Sequence, residues 1–413
     1  MNILILGAGL LGVSTAYELG KRGFNVTVLE RQPECAAEGS YSNGAQLSYS
    51  HAEPWASHFI LPKLPFWLLN PKAPLIFSPR ADWHMNKWIA GFLRNCTPAR
   101  ARRNCLTILR LGLYSKQEYA RIRKETGIEF SFSDNGILRI YTTQADFDHA
   151  KKHSAFQAKF GCTERILSRD QCITLEPSLE HSSGTIVGGI HAIMDEVGDA
   201  YEYCHALEKV AETKYGVKFI YGANIQELLE KDGKITSVTT DKETYEADSF
   251  VMAMGPHSPI FLRQVGIDTS IYPMKGYSIT MEANEFCPIS SITDNSHKIV
   301  LTRIGNRLRV AGTAELSGYN NGINMKRVTP IIDAAKELLP KANWDQEIQS
   351  WACLRPTTPD GPPLLGKTPY SNLFLNTGHG TLGWTQAAGS ASIVADIIEG
   401  NEPQINMNGL TLR

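Results

Sequence analysis

The chain has 413 residues, of which 42% are hydrophobic and 20% are charged, a composition typical of a globular protein long enough for two domains. Its formal net charge of −1 gives no electrostatic basis for binding nucleic acid. No uninterrupted apolar stretch reaches the roughly 18 residues of a membrane span, and the apolar start lacks the basic segment of a signal peptide. We therefore expect a cytoplasmic protein.

The start of the chain predicts a dinucleotide-binding unit. An apolar strand (2–6) leads into Gly7-Ala8-Gly9-Leu10-Leu11-Gly12, then a helix (13–19) and a second strand (25–29) that ends on Glu30. This is the G-x-G-x-x-G turn in the order of strand, turn, helix, strand and acid that it requires. The glycines allow a tight turn and close approach to a pyrophosphate, and Glu30 would accept a hydrogen bond from a ribose hydroxyl.

Residues 51–98 have a different composition. They contain seven prolines and four of the seven tryptophans, and their short apolar patches are broken by lysine and proline. Such a segment cannot form one long helix. Two interpretations stay open: a packed connection, or an apolar surface that contacts a membrane interface or a quinone.

The two ends of the chain share one design of strand, glycine turn and helix, whereas the middle is rich in strands. The remaining predicted elements are, in chain order, a helix (104–125), two strands (130–133 and 136–141), a helix (145–160), a strand (188–194), a helix (199–215), five strands (217–221, 225–229, 235–240, 245–247 and 250–255), antiparallel strands (271–312), a helix (327–339), a strand (373–376) and a helix (385–399).

This order of elements predicts an α/β fold with two parts. One is a Rossmann-like nucleotide-binding domain built from discontinuous segments, 1–52, 196–262 and 345–413. The other is a β-rich domain of the α+β type with an antiparallel sheet, from 53–195 and 263–344, which would bind the substrate.

A second glycine turn lies near the C-terminus. The run Gly378-His379-Gly380-Thr381-Leu382-Gly383 stands between an apolar strand and a helix, so its backbone N–H groups can face a developing negative charge. A nicotinamide dehydrogenase has no use for such a site, whereas a flavoenzyme would use it to stabilise the anionic reduced ring. A helix N-terminus with convenient glycines is the simpler alternative.

Arg355 is the candidate receptor for a substrate carboxylate. Prolines at 356, 359, 362 and 363 would stiffen the loop around it and hold its guanidinium in place for bidentate binding. On its own, an ordinary ion pair explains Arg355 equally well. Lys275 and Tyr277 stand at the start of a predicted strand, where they can line a pocket or simply pack.

The sequence offers no support for several other chemistries. The eight cysteines show no C-x-x-C pair and no metal-ligand spacing, so we expect reduced thiols and no metal site, with a redox-active pair as the alternative. The chain also contains no Gly-x-Ser-x-Gly elbow, His-Glu-x-x-His motif or P-loop, which removes the usual basis for a hydrolase or a kinase.

Six segments resemble the flavin-dependent amine oxidoreductase family that includes D-amino acid oxidase and glycine oxidase. They are residues 42–48, 54–56, 93–96, 272–278, 354–361 and 376–384. The last two are long enough to be highly specific, and the resemblance spans nearly the whole chain. It is strongest to the bacterial D-amino acid dehydrogenase small subunits. One departure is Asn-Gly-Ala-Gln at 43–46, where we expect Asn-Ala-Gly-Gln.

The resemblance implies a noncovalently bound FAD. The first glycine turn and Glu30 would hold the ADP half, 42–48 and 378–383 would hold the flavin half, and Ile225 would contact adenine. The cofactor-binding residues expected on this basis are Ile3, Gly7, Gly9, Leu10, Leu11, Gly12, Glu30, Arg31, Ser42, Asn43, Gly44, Ala45, Gln46, Leu47, Ile225, Ala253, Gly255, Gly378, Gly380, Thr381, Leu382 and Gly383.

The resemblance also implies oxidative deamination of a free D-amino acid to a 2-oxo acid and ammonia. Arg355 would bind the carboxylate, with Tyr277, His379 and Tyr319 as further catalytic candidates, and the Cα hydrogen would leave as hydride to flavin N5. Electrons would pass to a quinone or another acceptor that is not oxygen. This would place the protein at the inner face of the cell membrane as a peripheral protein, in contact through 51–98.

Three alternatives remain open from the sequence. The first is another enzyme of the same kind, either an oxygen-using amino acid oxidase or an imino acid dehydrogenase acting on proline or hydroxyproline. The second is a flavin-binding subunit that is inactive without a partner. The third is a nicotinamide dehydrogenase.

Overall fold

The computed structural model describes residues 1–63, 73, 75–77 and 82–413. Its helices in this part of the chain are α1 (Leu10–Lys21), α2 (Trp83–Asn95), α3 (Pro98–Thr126), α4 (Gln144–Ala158), α5 (Arg169–Leu175), α6 (Ala200–Tyr215), α7 (Ser258–Gln264), α8 (Met325–Leu338) and α9 (Gly383–Glu399). The strands are β1 (Asn2–Leu6), β2 (Asn25–Glu30), β3 (Gln46–Leu47), β4 (Leu75–Phe77), β5 (Ile137–Tyr141), β6 (Arg165–Leu167), β7 (Gly188–Ala192), β8 (Glu196–Val197), β9 (Lys218–Tyr221), β10 (Ile225–Lys231), β11 (Lys234–Thr240), β12 (Thr244–Glu246), β13 (Ser249–Met252), β14 (Tyr272–Glu282), β15 (Ser291–Asp294), β16 (Ile299–Ile304), β17 (Arg307–Leu316), β18 (Gln349–Thr357), β19 (Leu364–Lys367) and β20 (Leu373–Thr377).

A six-stranded sheet carries the N-terminal glycine turn, in the order β19-β20-β13-β1-β2-β9. Its strands are parallel except for the edge strand β19, which runs antiparallel to β20. The last four residues of β1 are all buried, as expected for a parallel strand covered on both faces. Because strands from the start, middle and end of the chain meet here, the predicted Rossmann-like sheet from discontinuous segments is confirmed.

A larger sheet of nine strands follows the order β18-β14-β17-β16-β15-β5-β7-β6, with β4 added beside β17. Most pairs are antiparallel, and only β15–β5 and β17–β4 are parallel among the described strands. Helix α8 packs its buried side chains, including Val328 and Ile331, into the same core as Ile279 and Val310 of the sheet. The predicted β-rich part with an antiparallel sheet is therefore present.

Three local expectations differ from the structure. Residues 130–133 form no strand and contribute only a bridge between Ser133 and Val197. The helix predicted from 104 begins at Pro98, where a missing N–H costs nothing because the first turn has no partner for it. The segment around Arg355, expected as a loop, ends β18, which pairs with β14 in the nine-stranded sheet. The domain boundaries themselves stay a prediction.

The segment with many prolines and tryptophans is described only in part. The predicted apolar patch at 66–69, which includes Trp67 and Leu68, lies outside the described residues. Its described flanks expose aromatic side chains, with Trp83 74% and Phe59 48% accessible. Within the residues that can be examined, no helix combines the length and the apolar character needed to cross a bilayer.

Candidate active site

A cavity of about 1170 Å³ is lined by residues of both large sheets and of the two glycine turns. This volume exceeds the roughly 300–1,000 Å³ of typical small-molecule pockets, so it has room for a large cofactor together with a small substrate. The cavity wall includes every predicted site residue except Ile3, Gly12, Leu47, Gly378 and Tyr319. The two glycine turns, far apart in sequence, are therefore brought to one cavity.

The first glycine turn is shaped by close backbone contacts. Gly7 has φ of +101°, and a Cβ added there would lie 2.8 Å from the Ala253 carbonyl oxygen. A Cβ on Gly12 would lie 1.8 Å from the Gly7 carbonyl oxygen. Gly9 differs, because its nearest neighbour would be the Ser40 hydroxyl at 3.9 Å. Gly7 and Gly12 thus serve the turn, while Gly9 leaves open space at the N-terminus of α1.

Glu30 is fixed at the edge of this space. Its two carboxylate oxygens accept hydrogen bonds from the backbone N–H groups of Ala8, at 2.8 Å, and Gln32, at 2.9 Å. Burial raises the pKa of Glu30, and these two hydrogen bonds oppose that shift. The acid is held in place by the turn that it follows, on the wall where a ribose is expected.

The segment that resembles a flavin-binding loop is tied across the nine-stranded sheet by hydroxyl and amide groups. The Ser278 hydroxyl donates to the Ser42 carbonyl at 2.7 Å, and the Thr302 hydroxyl donates to the Gly44 carbonyl at 2.9 Å. The Gln46 amide donates to the Ser291 hydroxyl at 2.7 Å. Sequence reasoning missed Thr302 and Ser291, because single polar residues on strands carry no local signal of what they will contact.

The exchanged order of Gly44 and Ala45 has a structural consequence. Ala45 adopts φ of +58°, in the left-handed region that favours glycine. Gly44 has no positive φ, but a Cβ there would lie 2.9 Å from a methyl group of Val300. The chain therefore keeps a side chain off the position that faces Val300 and accepts backbone strain at the next residue.

The C-terminal glycine turn leads directly into α9. His379, within this turn, is 2% exposed, and its Nε2 lies 2.9 Å from the Ser390 hydroxyl. Its Nδ1 is buried without a hydrogen-bond partner among the described residues. Burial lowers the pKa of His379 to about 3, so the imidazole is neutral. This wall presents the α9 N-terminus, and the unpartnered Nδ1 of His379 is enclosed within the protein.

Arg355 faces the cavity from β18, opposite Met274 of β14. Its guanidinium lies over Gly276, where an added Cβ would come within 2.1 Å of Cζ. One N–H donates to the Thr313 carbonyl at 3.1 Å. Burial lowers the pKa of Arg355, although a guanidinium keeps its charge.

The position of Arg355 corrects the expected origin of its rigidity. The side chain is held by the pairing of β18 with β14 and by the space that Gly276 leaves for the guanidinium. It is not held by a loop stiffened by proline. Pro356 is tolerated because β18 is an edge strand. Over the described residues, no ion pair joins Arg355 to an acidic side chain. A half-buried guanidinium that, among the described residues, donates only to a carbonyl is suited to binding a carboxylate.

The two tyrosine candidates lie in different places. Tyr277 lines the cavity, but its hydroxyl donates to Glu315 at 2.7 Å. Glu315 also lies 3.7 Å from the ammonium of Lys275, so Tyr277 belongs to a buried polar group behind the wall. Tyr319 is not part of the wall. It is 39% exposed, and its ring centre lies 5.5 Å from that of His257.

The other predicted residues away from the wall support it from behind. Ile3 and Leu47 are buried in the main core cluster. Gly12 gives the close contact to Gly7, and Gly378 has φ of +86° in the second turn. Residues that sequence reasoning missed include Gly276, Thr313 and Arg139, whose places on or behind the wall depend on strand register.

A profile of the family described as FAD dependent oxidoreductase matches residues 2–397. The chain belongs to this family. A D-amino acid dehydrogenase of Rhizobium johnstonii (strain DSM 114642 / LMG 32736 / 3841) is 40% identical over 414 residues, covering 100% of this chain and 99% of the relative. One of Dechloromonas aromatica (strain RCB) is 40% identical over 411 residues, covering 98% of each.

Solved structures show the same fold at low sequence identity. Glycine oxidase from Bacillus cereus ATCC 14579 has a TM-score of 0.75 at 22% identity, covering 98% of this chain and 96% of that one. L-proline dehydrogenase from P. horikoshii has a TM-score of 0.73 at 18% identity, covering 99% and 98%. The shared fold thus carries enzymes named for different amino and imino acids.

The residues on the cavity wall fit the FAD of this family. Open space at Gly9 adjoins the N-terminus of α1, where backbone N–H groups favour phosphate. Glu30 stands beside that space. The same cavity is bordered by the α9 N-terminus and by residues 42–46, which are hydrogen-bonded to the nine-stranded sheet. FAD-dependent oxidoreduction, predicted from the resemblance, is confirmed for the chain.

Proposed function

We propose that the protein catalyses FAD-dependent oxidative deamination of free D-amino acids to 2-oxo acids and ammonia. The observation that carries the proposal is Arg355, a half-buried guanidinium on the cavity wall whose hydrogen bond to a carbonyl leaves other N–H groups for a substrate. The choice of the D-isomer rests on the names of the relatives at about 40% identity.

Each residue near Arg355 has a separate task. Arg355 binds the carboxylate and so fixes one end of the substrate, which lowers the entropic cost of orienting Cα. His379 is neutral, so it adds no charge to the wall. The N-terminus of α9 adds partial positive charge to the wall. FAD, when bound, would supply the two-electron oxidation of the substrate.

We further propose that the electron acceptor is a membrane quinone and that the protein contacts the membrane at its periphery. Support comes from exposed aromatic side chains on the described flanks of 64–72: Trp55 is 37%, Phe59 48% and Trp83 74% accessible. Trp55 and Phe59 also line the cavity. An apolar rim that reaches the cavity suits an apolar acceptor delivered from a bilayer.

Anaerobic mixing of the purified holoprotein with D-amino acids, L-amino acids and proline tests the reaction. We expect rapid bleaching of the flavin absorbance by D-isomers alone, and slow reoxidation after admitting air, with little peroxide formed per turnover. Bleaching by proline alone would support an imino acid dehydrogenase, and a high peroxide yield would support an oxidase. No bleaching by any compound would contradict the proposal.

Vesicle flotation tests the membrane contact. The paired change Trp67→Ser and Leu68→Ser, and separately Trp83→Ser, should reduce the fraction of protein bound to vesicles. Ile166→Ser is the matched control, because Ile166 is 52% exposed on β6 in a different part of the molecule. Equal binding of wild type and of all three variants would contradict the membrane contact and leave the deamination proposal intact.

A further inference from the structure

Three side chains that ligate metals converge outside the cavity. In the described part of the chain, the Cys35 thiol, one imidazole nitrogen of His205 and a carboxylate oxygen of Glu208 all lie within 4.8 Å of one another. None of the three lines the cavity. We propose that Cys35, His205 and Glu208 form a site for a divalent transition-metal ion, with Zn²⁺ as the best match to their donor atoms.

Two of the three ligands are prearranged by secondary structure. His205 and Glu208 are three residues apart on α6, so they project from the same face of the helix. Cys35 comes from the segment after β2, and its thiol is buried against that face. His205 and Glu208 are therefore held on one helix face, and Cys35 reaches them from a separate segment of the chain.

The donor set and its spacing suit zinc. Sulfur, imidazole nitrogen and carboxylate oxygen are the three ligand types that Zn²⁺ takes in proteins. Bond lengths of about 2.0–2.3 Å and tetrahedral angles place the ligand atoms roughly 3.3–3.6 Å apart. The observed atoms lie within 4.8 Å, so small side-chain movements bring them to bonding distance. Binding would release the thiol proton to solvent and form a zinc–thiolate bond.

His205 faces Glu208 with its Nδ1. The two atoms lie 3.7 Å apart, which is too long for a hydrogen bond but close enough to share an ion after a small movement. On the other side of the ring, Nε2 is buried without a hydrogen-bond partner among the described residues and lies 3.9 Å from Glu34. A water would complete the four ligands of an ion held by Cys35, His205 and Glu208.

Tyrosines orient both carboxylates from outside. The Tyr221 hydroxyl donates to one oxygen of Glu208, and the Tyr201 hydroxyl donates to Glu34 at 3.0 Å. The Tyr201 ring also packs against the His205 ring, with 4.3 Å between centres. Such outer contacts hold ligands in position around a metal and raise its affinity.

A redox role explains Cys35 less well than a metal. The thiol is fully buried, so an oxidant in solution cannot reach it. The neighbouring Cys204 is equally buried. No disulfide joins cysteines in the described structure.

A bound ion would tie residues 36–40 of the cavity wall to the nucleotide-binding core. Residues 36–40 follow Cys35 directly and line the cavity, and α6 packs on α1 through the main core cluster. The ion would therefore join two elements that are linked only by side-chain packing and hydrogen bonds in this region. Its effect is structural and needs no change in the reaction.

Cadmium titration of the chelator-treated holoprotein tests the site, because a cadmium–thiolate bond has its own ultraviolet absorption. We expect one Cd²⁺ bound per chain with that absorption, and competition by Zn²⁺. Cys35→Ser should abolish the absorption, and His205→Gln should weaken binding by at least about 100-fold. Tyr221→Phe should weaken it by about 10-fold. Cys204→Ala, a buried thiol beside the site, is the control and should bind as wild type does.

Two results would overturn the site. One is wild-type protein that shows no cadmium–thiolate absorption at a stoichiometric excess of Cd²⁺. The other is full absorption in both Cys35→Ser and His205→Gln. Should Cys35→Ser fail to fold, His205→Gln decides alone, since His205 is partly exposed on α6. Flavin absorbance, read in the same cuvette, shows that each variant carries its cofactor.

Discussion

We propose that the two walls of the cavity recognise their ligands by different means. On the side of the six-stranded sheet, recognition would depend on missing side chains and backbone N–H groups, at Gly7, Gly9 and the start of α1. On the side of the nine-stranded sheet, it would depend on the charged side chain of Arg355, which strand pairing holds in place. The first wall is a local feature of the chain, whereas the second exists only once distant strands have paired.

This difference explains why the two walls would respond differently to mutation. We call the side of the six-stranded sheet the glycine wall and the side of the nine-stranded sheet the strand wall. A change in the glycine wall acts on the backbone, so it alters folding or cofactor retention. A change in the strand wall moves or removes one cation, so it alters substrate binding and leaves the cofactor in place. The following experiments test that separation, beginning with the largest effect.

Gly12→Ala and Gly9→Ala separate turn formation from cofactor binding. At Gly12 the new Cβ would lie 1.8 Å from a carbonyl oxygen, so we expect a loss of about 3 kcal/mol of stability or more and little folded protein. At Gly9 the nearest atom is 3.9 Å away, so the fold should survive while FAD is lost. Thermal unfolding and the ratio of flavin to protein absorbance measure both, and equal stability of the two variants would contradict this account.

Gly276→Ala should displace Arg355 without touching it directly. The added Cβ would lie 2.1 Å from the guanidinium carbon, which must then move by more than 1 Å. A displacement of this size typically lowers kcat/KM by about 100-fold. Steady-state kinetics with a dye acceptor measure the loss, and the flavin content should remain that of wild type. Unchanged kinetics would show that Arg355 is not held by this contact.

Asp195, which lines the cavity, makes the stability of the protein depend on pH. Burial raises its pKa from 3.8 to about 6, although Ser50 donates two hydrogen bonds to it. Below pH of about 4 the carboxyl is protonated in both folded and unfolded protein. Above about pH 6 it is charged in both, and the folded protein then carries the full destabilising cost of burying that charge.

Asp195→Asn should therefore gain stability relative to wild type as pH rises. Between pH 4 and pH 7 we expect the difference in unfolding free energy to shift by roughly 1–3 kcal/mol in favour of the variant. Thermal unfolding of both proteins at the two pH values measures the shift, because other groups cancel in the difference. A constant difference would show that Asp195 titrates at its ordinary value.

Ala45→Gly is the smallest expected effect and acts where the two walls meet. Relief of the left-handed φ of +58° should outweigh the added flexibility of the unfolded chain and stabilise the protein by about 0.5–1 kcal/mol. Gly44→Ala should destabilise it through contact with Val300. Thermal unfolding of both variants decides, and a loss of stability in Ala45→Gly would contradict the strain.

The sequence allowed prediction of the glycine wall because its signals are local. The turn at Gly7, the acid at Glu30 and the turn before α9 each lie within one strand–turn–helix unit, and the structure brings all of them to the cavity. Its neighbours and the family resemblance predict Arg355 as a site residue, but the nearby prolines predict a loop where the structure has the end of β18. β18 forms only because β14, remote in sequence, pairs with it.

Tertiary contacts account for what the sequence could not reveal. Gly276 matters through strand register, and Thr313 contributes a backbone carbonyl, which no side-chain pattern encodes. Tyr319, a candidate by resemblance, lies outside the wall. The group of Cys35, His205 and Glu208 has no recognisable ligand spacing, because β2 and α6 meet only in the folded protein.

The most direct test of the account is anaerobic flavin reduction in wild type and Arg355→Met over a range of D-amino acid concentrations. We predict equal FAD content, with half-saturation in the variant at least about 30-fold higher, as expected when a buried charge partner worth about 2 kcal/mol or more is removed. Reduction by dithionite should be the same in both. Equal half-saturation in the two proteins would show that Arg355 does not bind the substrate, and the assignment of the strand wall would fall.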